Sequence, residues 1–112
     1  MRTHLKILLL TIAIAFSLLA FTTTFAQNPA ADQTLLANPV YVKNCAKCHG
    51  KTAGGHHFAG PSLISDKTAA VSTEDLRNLI ANGKGHMPKF AGKLTAEEID
   101  TLVQQIQALN KK

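Results

Sequence analysis

The chain has 112 residues, enough for one small domain, with a formal net charge of +5 and 46% hydrophobic residues. Two cysteines are too few for a disulfide-rich scaffold. No basic patch interleaved with aromatic residues is present, so nucleic acid is not predicted as a partner.

Residues 1–26 have the three parts of an export signal. Arg2 and Lys6 form a basic segment, residues 7–21 are almost entirely apolar, and a small-residue cleavage site ends at Ala26. The alternative is a retained anchor, because the apolar stretch that ends at Ala26, about 20 residues, is just long enough to span a bilayer. We predict a signal peptide cleaved after Ala26 and a periplasmic protein. The alternative is a membrane-anchored protein that faces the periplasm.

Residues 27–37 are polar and small, and they predict a flexible N-terminal arm. The folded domain is predicted to span residues 38–112. Asn38 is a good capping residue and Pro39 suits the first helical position, so a helix is expected to begin here. This helix runs into a cysteine-containing segment and ends near Gly50.

The segment Cys45-Ala46-Lys47-Cys48-His49 has the spacing of a c-type haem attachment site. In a helix both thiols lie on one face, within reach of the two vinyl groups along one porphyrin edge. His49 follows directly and offers a neutral imidazole nitrogen as the proximal iron ligand. We predict one covalently bound haem c, held by Cys45, Cys48 and His49.

Three other uses of the two cysteines have less support. A thioredoxin-like redox pair needs a βαβ pattern that the sequence lacks. A zinc site needs four ligands, and only histidines could complete the set. A disulfide between Cys45 and Cys48 would close too short a loop to stabilise the fold much.

The rest of the chain predicts loops and two further helices. Residues 51–62 are rich in Gly and His without a period, which indicates a loop. A helix is expected from the cap Ser72 to the stop at Gly83, followed by a second loop, and Thr95-Ala96-Glu97-Glu98 forms a capping box for the last helix. The apolar positions of these helices have helical spacing: Leu76, Leu79, Ile80, Ile99, Leu102, Val103, Ile106 and Leu109. With no strand pattern, we predict an all-α fold of three or more short helices and long loops wrapped around the haem.

Met87, in the second loop, is the predicted distal ligand. Its thioether sulfur suits iron and does not titrate, Pro88 fixes the neighbouring backbone, and it is the only methionine after the signal segment. Filling core space is the alternative role for this side chain. His56, His57 and His86 are rival ligands, which would give a bis-histidine site of lower potential. We expect the first two to face solvent, and His86, next to Met87, is the more credible substitute.

Six lysines flank the segments expected to surround the haem: Lys43, Lys47, Lys51, Lys84, Lys89 and Lys93. Two interpretations stay open. The lysines are either an ordinary solvated surface or a ring that docks on the acidic surface of a redox partner. Removing Arg2 and Lys6 with the signal peptide lowers the formal net charge to about +3.

The chain resembles the class I cytochrome c family, with one His/Met-ligated haem, in its small bacterial periplasmic branch. The matching segments are residues 41–50 (YVKNCAKCHG), 60–63 (GPSL), 87–90 (MPKF) and 94–109 (LTAEEIDTLVQQIQAL). The resemblance implies an all-α cytochrome c-like fold in which the first and last helices cross and one haem edge is exposed. It also implies that the Pro61 carbonyl accepts the free N–H of His49, orienting the ring and raising its basicity.

Two positions depart from the family pattern. The family often has Gly about eight residues before the first cysteine, where this chain has Ala37 and Asn38. It commonly has an aromatic residue in the last helix, where Gln105 stands. We therefore expect Tyr41 to pack on Leu102 or Ile106 and the helix crossing to be looser or wider.

The predicted function is electron transfer rather than catalysis, because His49 and Met87 would leave no axial position open for a substrate. The protein would be a monomer that shuttles one electron between larger redox complexes, contacting membranes only through those partners unless the signal segment is retained.

Two alternatives stay open. One is a haem-based gas or redox sensor, or weak peroxidase, in which Met87 leaves the iron, and carbon monoxide binding at neutral pH would support it. The other is a dedicated electron-accepting subunit of one dehydrogenase, which would copurify with that enzyme.

Overall fold

The computed structural model describes residues 34–111. Besides a 3₁₀ helix, Leu35–Ala37, these residues form five α-helices: α1 (Pro39–Asn44), α2 (Ala46–His49), α3 (Asp66–Ala69), α4 (Thr73–Asn82) and α5 (Ala96–Leu109). Between residues 34 and 111 there are isolated β-bridges but no strand. The predicted all-α fold is confirmed. No helix in this described part is both long enough and apolar enough to cross a membrane.

The first predicted helix is present but interrupted. The Asn38 side chain caps α1 by accepting a hydrogen bond from the Val40 backbone N–H at 2.9 Å, and Pro39 occupies the first position. The helix breaks at Cys45, continues as α2, and ends at Gly50 with φ +84°. A side chain is strained at that angle, which explains why glycine ends the segment.

The predicted arm, residues 27–37, ends in folded structure. Leu35 lies in the 3₁₀ helix and is only 1% exposed, as part of the main hydrophobic core. The expectation of a flexible arm is therefore wrong for residues 34–37. The signal peptide predicted for residues 1–26, and the arm up to residue 33, lie outside the described residues.

The predicted caps of α4 and α5 are confirmed. The Ser72 side chain accepts a hydrogen bond from the Asp75 backbone N–H, and Thr95 and Glu98 form both halves of the capping box. Arg77 of α4 donates to Asp100 of α5 at the surface. Beneath this ion pair the apolar faces of the two helices form most of the core, with these buried residues: Leu76, Ile80, Ile99, Leu102, Val103 and Ile106.

The two departures from the family pattern meet in space. The Asn38 side-chain amide donates a hydrogen bond of 2.8 Å to the Gln105 side-chain oxygen, and both residues are buried. Tyr41 lies in the same buried core as Leu102 and Ile106, as expected. An amide pair thus joins the start of α1 to α5 at the positions where the family commonly has Gly and an aromatic residue.

Asn110, near the carboxyl end, makes side-chain hydrogen bonds that were not predicted from the sequence and that we call the Asn110 clamp. The Asn110 side-chain amide donates to the Leu63 carbonyl at 2.8 Å, and its oxygen accepts from the Ser65 N–H at 3.1 Å. Ser65 also caps α3, a single turn that the sequence analysis left unassigned. These bonds fasten the segment that follows Pro61 to the end of α5.

Candidate functional site

The two cysteines and His49 lie in one helical turn. The backbone N–H groups of Cys48 and His49 both donate to the Cys45 carbonyl, at 3.1 and 2.9 Å. Both thiols are free; Cys45 is half-buried against the core and Cys48 is exposed. The turn therefore offers one sheltered and one accessible sulfur, three positions apart in the chain.

The environment of Cys45 does not suit a reactive redox thiol. Burial, and secondarily the neighbouring Cys48, raise the pKa of the Cys45 thiol to about 11. Redox-active cysteines of the thioredoxin kind have a pKa below the ordinary value, because the thiolate is the nucleophile. Within the described range, no three His, Cys, Asp or Glu side chains converge to hold a metal ion by themselves. The raised pKa therefore weighs against a thioredoxin-like redox pair.

The protonation state of His49 follows from its hydrogen bond. His49 Nδ1 lies 2.8 Å from the Pro61 carbonyl oxygen, the contact that the family resemblance implies. A carbonyl only accepts, so Nδ1 carries the proton, and in the neutral ring the lone pair is on Nε2. Among the described residues Nε2 has no hydrogen-bond partner. The ring is thus oriented so that the lone pair of Nε2 is available for coordination, as an iron ligand requires.

Glycines allow the loop that holds Pro61 to lie against the haem-binding turn. The Gly55 N–H donates to the His49 carbonyl at 2.8 Å, and Gly55 has φ +83°. A Cβ there would come within 2.7 Å of the Ser62 nitrogen, and one at Gly60 within 2.8 Å of the Cys48 carbonyl oxygen. Any larger residue would push the loop away and lengthen the bond between His49 and Pro61.

Tyr41 contributes a hydrogen bond that the sequence analysis missed. Its hydroxyl donates to the Gly50 carbonyl at 2.6 Å, and the same carbonyl accepts from the Ala53 N–H at 3.1 Å. Burial raises the pKa of the Tyr41 hydroxyl, so that it stays a donor. Tyr41 and Gly50 are nine positions apart and lie on either side of the break at Cys45, so helical periodicity did not reveal the contact.

Met87 lies in a tight turn fixed at both ends. The N–H of Lys84 donates to the Met87 carbonyl at 3.2 Å, and the Met87 N–H donates back at 3.0 Å. A Cβ on Gly83 would collide with the Met87 carbonyl and come within 2.8 Å of the Pro88 carbon. Beyond the turn, the buried Phe90 donates its N–H to the Ile80 carbonyl at the end of α4.

The structure separates Met87 from its histidine rivals. Met87 is half-buried and packs against the same core as Cys45. His56, His57 and His86 are exposed. The sequence-predicted residues thus fall into a proximal group, in which His49 and Pro61 are hydrogen-bonded, and a separate anchored turn that presents a thioether.

Known proteins resemble this chain over most of its length. A family model described as "Cytochrome C oxidase, cbb3-type, subunit III" matches residues 33–106. The chloroplastic cytochrome c6 of Chlamydomonas reinhardtii is 32% identical over 104 residues, which cover 87% of this chain and 68% of that protein. Cytochrome c6 of Picosynechococcus sp. is 30% identical over 115 aligned residues, covering 90% of this chain and 96% of the relative. The chain therefore belongs to the class I cytochrome c family and is an electron-transfer protein with one covalently attached haem c, not an enzyme.

Proposed function

We propose that Cys45 and Cys48 would hold the haem through thioether bonds, and that His49 Nε2 and the Met87 sulfur would ligate its iron. The observation that supports this most directly is the bond from His49 Nδ1 to the Pro61 carbonyl, because it places the proton of the neutral ring on Nδ1 and so leaves the lone pair on Nε2 for iron. When bound, the haem supplies a one-electron couple between ferric and ferrous iron.

The chain's own residues then restrict the site to electron transfer. The Pro61 carbonyl fixes the ring of His49 and increases its donor strength. The Met87 thioether favours ferrous iron relative to an imidazole, which raises the reduction potential. Because both turns are anchored by backbone hydrogen bonds, little rearrangement accompanies a change of charge at the site.

Redox-titrated visible spectroscopy and intact mass of the exported protein test this assignment together. We expect one haem mass added to residues 27–112, a reversible one-electron couple, and the near-infrared sulfur-to-iron charge-transfer band in the oxidised protein. Colourless protein with the mass of the polypeptide alone would contradict haem attachment. Retention of residues 1–26 would instead support the anchored alternative.

The partners are proposed to be larger redox complexes with acidic surfaces, which the protein visits as a diffusing monomer. All six lysines of the predicted ring are exposed. Residues 34–65 and 76–96, which contain the haem-binding and Met87 turns, hold no Asp or Glu. Every carboxylate side chain of the described chain lies elsewhere: Asp66, Glu74, Asp75, Glu97, Glu98 and Asp100. This segregation of charge favours docking on carboxylates over an ordinary mixed surface.

Oxidation of the ferrous protein by ferricyanide measures the charge around the site. We expect the rate constant to fall several-fold as the ionic strength rises from about 10 to about 200 mM, because salt screens attraction between the anion and the lysines. At low salt, Lys47→Glu should slow the reaction several-fold. Lys67→Glu is the matched control, since Lys67 lies beside Asp66 in α3, and it should have a much smaller effect. Rates that do not change with salt would identify the lysines as ordinary surface.

A further inference from the structure

Phe58 has an unusual position for an aromatic residue. Its relative exposure is 105%, the highest among the exposed large apolar residues of the described chain. Its backbone has φ +65°, in the left-handed region that disfavours residues with a Cβ. Phe58 therefore adopts a strained backbone although no described part of the polypeptide buries its ring.

The loop tip that bears Phe58, residues 56–58, is held by the backbone rather than free. The His56 N–H donates to the Gly60 carbonyl at 3.0 Å, and the His56 carbonyl accepts from the Ala59 N–H at 3.2 Å. Gly60 in turn lies directly against the Cys48 carbonyl. Through the bond between His56 and Gly60, and the contact of Gly60 with Cys48, the loop tip is thus held against the haem-binding turn.

The residues that precede and follow the loop tip along the chain are mostly polar and include no carboxylate. The His57 ring lies 5.7 Å from the Phe58 ring, and residues 54–62 line a shallow groove of about 590 Å³. Lys47 and Lys51 precede the loop, and the described chain has no carboxylate side chain before Asp66. An exposed aromatic ring in a segment whose only charged side chains are lysines is complementary to an apolar recess bordered by carboxylates.

We propose that Phe58 inserts into such a recess on an acidic redox protein, anchoring the complex while Lys47 and Lys51 meet the partner's carboxylates. This inference rests on the proposed function and deepens it by naming the chemistry of the partner. A membrane surface is less favoured, because insertion into lipid uses a broad apolar face, whereas glycines, histidines and a serine surround Phe58. In this proposal the strained backbone of Phe58 serves the complex, because its ring is buried only when the partner is bound.

The test uses the haem-loaded protein on gold electrodes coated either with a carboxylate-terminated monolayer or with a mixture of carboxylate- and methyl-terminated chains. The mixed coating supplies the two groups attributed to the partner. We expect Phe58→Gly to weaken adsorption to the mixed coating about tenfold and to leave adsorption to the carboxylate coating unchanged. Phe58→Leu should recover much of the loss. Val42→Ala, which truncates an exposed apolar side chain on α1, is the matched control and should have no effect.

Stability and spectra separate docking from an internal role. Because glycine tolerates the left-handed backbone, Phe58→Gly should unfold at the same temperature as the parent or higher, with an unchanged haem spectrum and potential. A lower unfolding temperature or a changed spectrum would overturn the proposal, since Phe58 would then serve the fold or the haem. Equal adsorption of parent and variant would also overturn it, as would Phe58-dependent binding to phosphatidylglycerol vesicles. If the parent has no reversible haem couple, the proposed function itself fails.

Discussion

Replacing Met87 with alanine is expected to lower the reduction potential by on the order of 100 mV or more. The thioether favours ferrous iron, and its loss leaves the position to water or to a stronger nitrogen donor, both of which favour the ferric state. The near-infrared charge-transfer band should disappear from the oxidised protein, and the ferrous protein should gain the ability to bind carbon monoxide. Potentiometric titration and visible to near-infrared spectra measure all three changes on one sample.

His86→Ala is the matched control for this experiment. His86 is the immediate neighbour of Met87 and the strongest rival ligand, but its side chain is exposed while Met87 is half-buried. We expect the control to keep both the band and the potential. Loss of the band in His86→Ala, with retention in Met87→Ala, would reassign the distal ligand to the histidine.

Replacing Asn38 with alanine is expected to lower the free energy of unfolding by about 2–4 kcal/mol. The side chain makes two bonds at once, capping α1 through its oxygen and donating its amide to Gln105. Loss of a helix cap costs about 1 kcal/mol, and loss of a partner for a buried polar group costs about 1–3 kcal/mol. Guanidinium chloride unfolding of the haem-loaded protein, followed by circular dichroism, measures the change.

A double-mutant cycle isolates the amide pair from the cap. Gln105→Ala removes the partner of the Asn38 amide and leaves the α1 cap in place, so the cycle with Asn38→Ala should yield a coupling energy of about 1 kcal/mol. Gln104→Ala is the control, because Gln104 lies next to Gln105 in α5 but is exposed, and it should change little. Additive effects of the two buried changes would mean that the bond is energetically neutral.

Local chemistry made several elements predictable. Asn38 with Pro39, Ser72, and the pair Thr95 and Glu98 each specify a helix start through side-chain hydrogen bonds within a few residues. The helix predicted from Asn38 and Pro39 runs through the cysteine-containing motif to Gly50, with a break at Cys45 that local chemistry did not indicate.

The features that the sequence analysis missed depend on contacts between distant residues or on backbone angles. Asn38 and Gln105 are 67 positions apart, so each alone looked like an unfavourable replacement, and only the folded chain shows that they are partners. The burial of Leu35 required a core surface supplied by α5. Phe58 looked like an ordinary loop residue, because periodicity does not report a positive φ. The cofactor-binding chemistry was thus more predictable than the packing that supports it.

The Asn110 clamp has a consequence for how the protein should be produced. Its side chain ties the last turn of α5 to the strip of backbone just past Pro61, whose carbonyl holds His49. Removing residues 110–112, or placing a bulky affinity tag beside Asn110, should therefore weaken the hydrogen bond between Pro61 and the His49 ring. Purification handles therefore belong at the amino-terminal side, after the predicted signal peptide, so that the hydrogen bonds of Asn110 are kept.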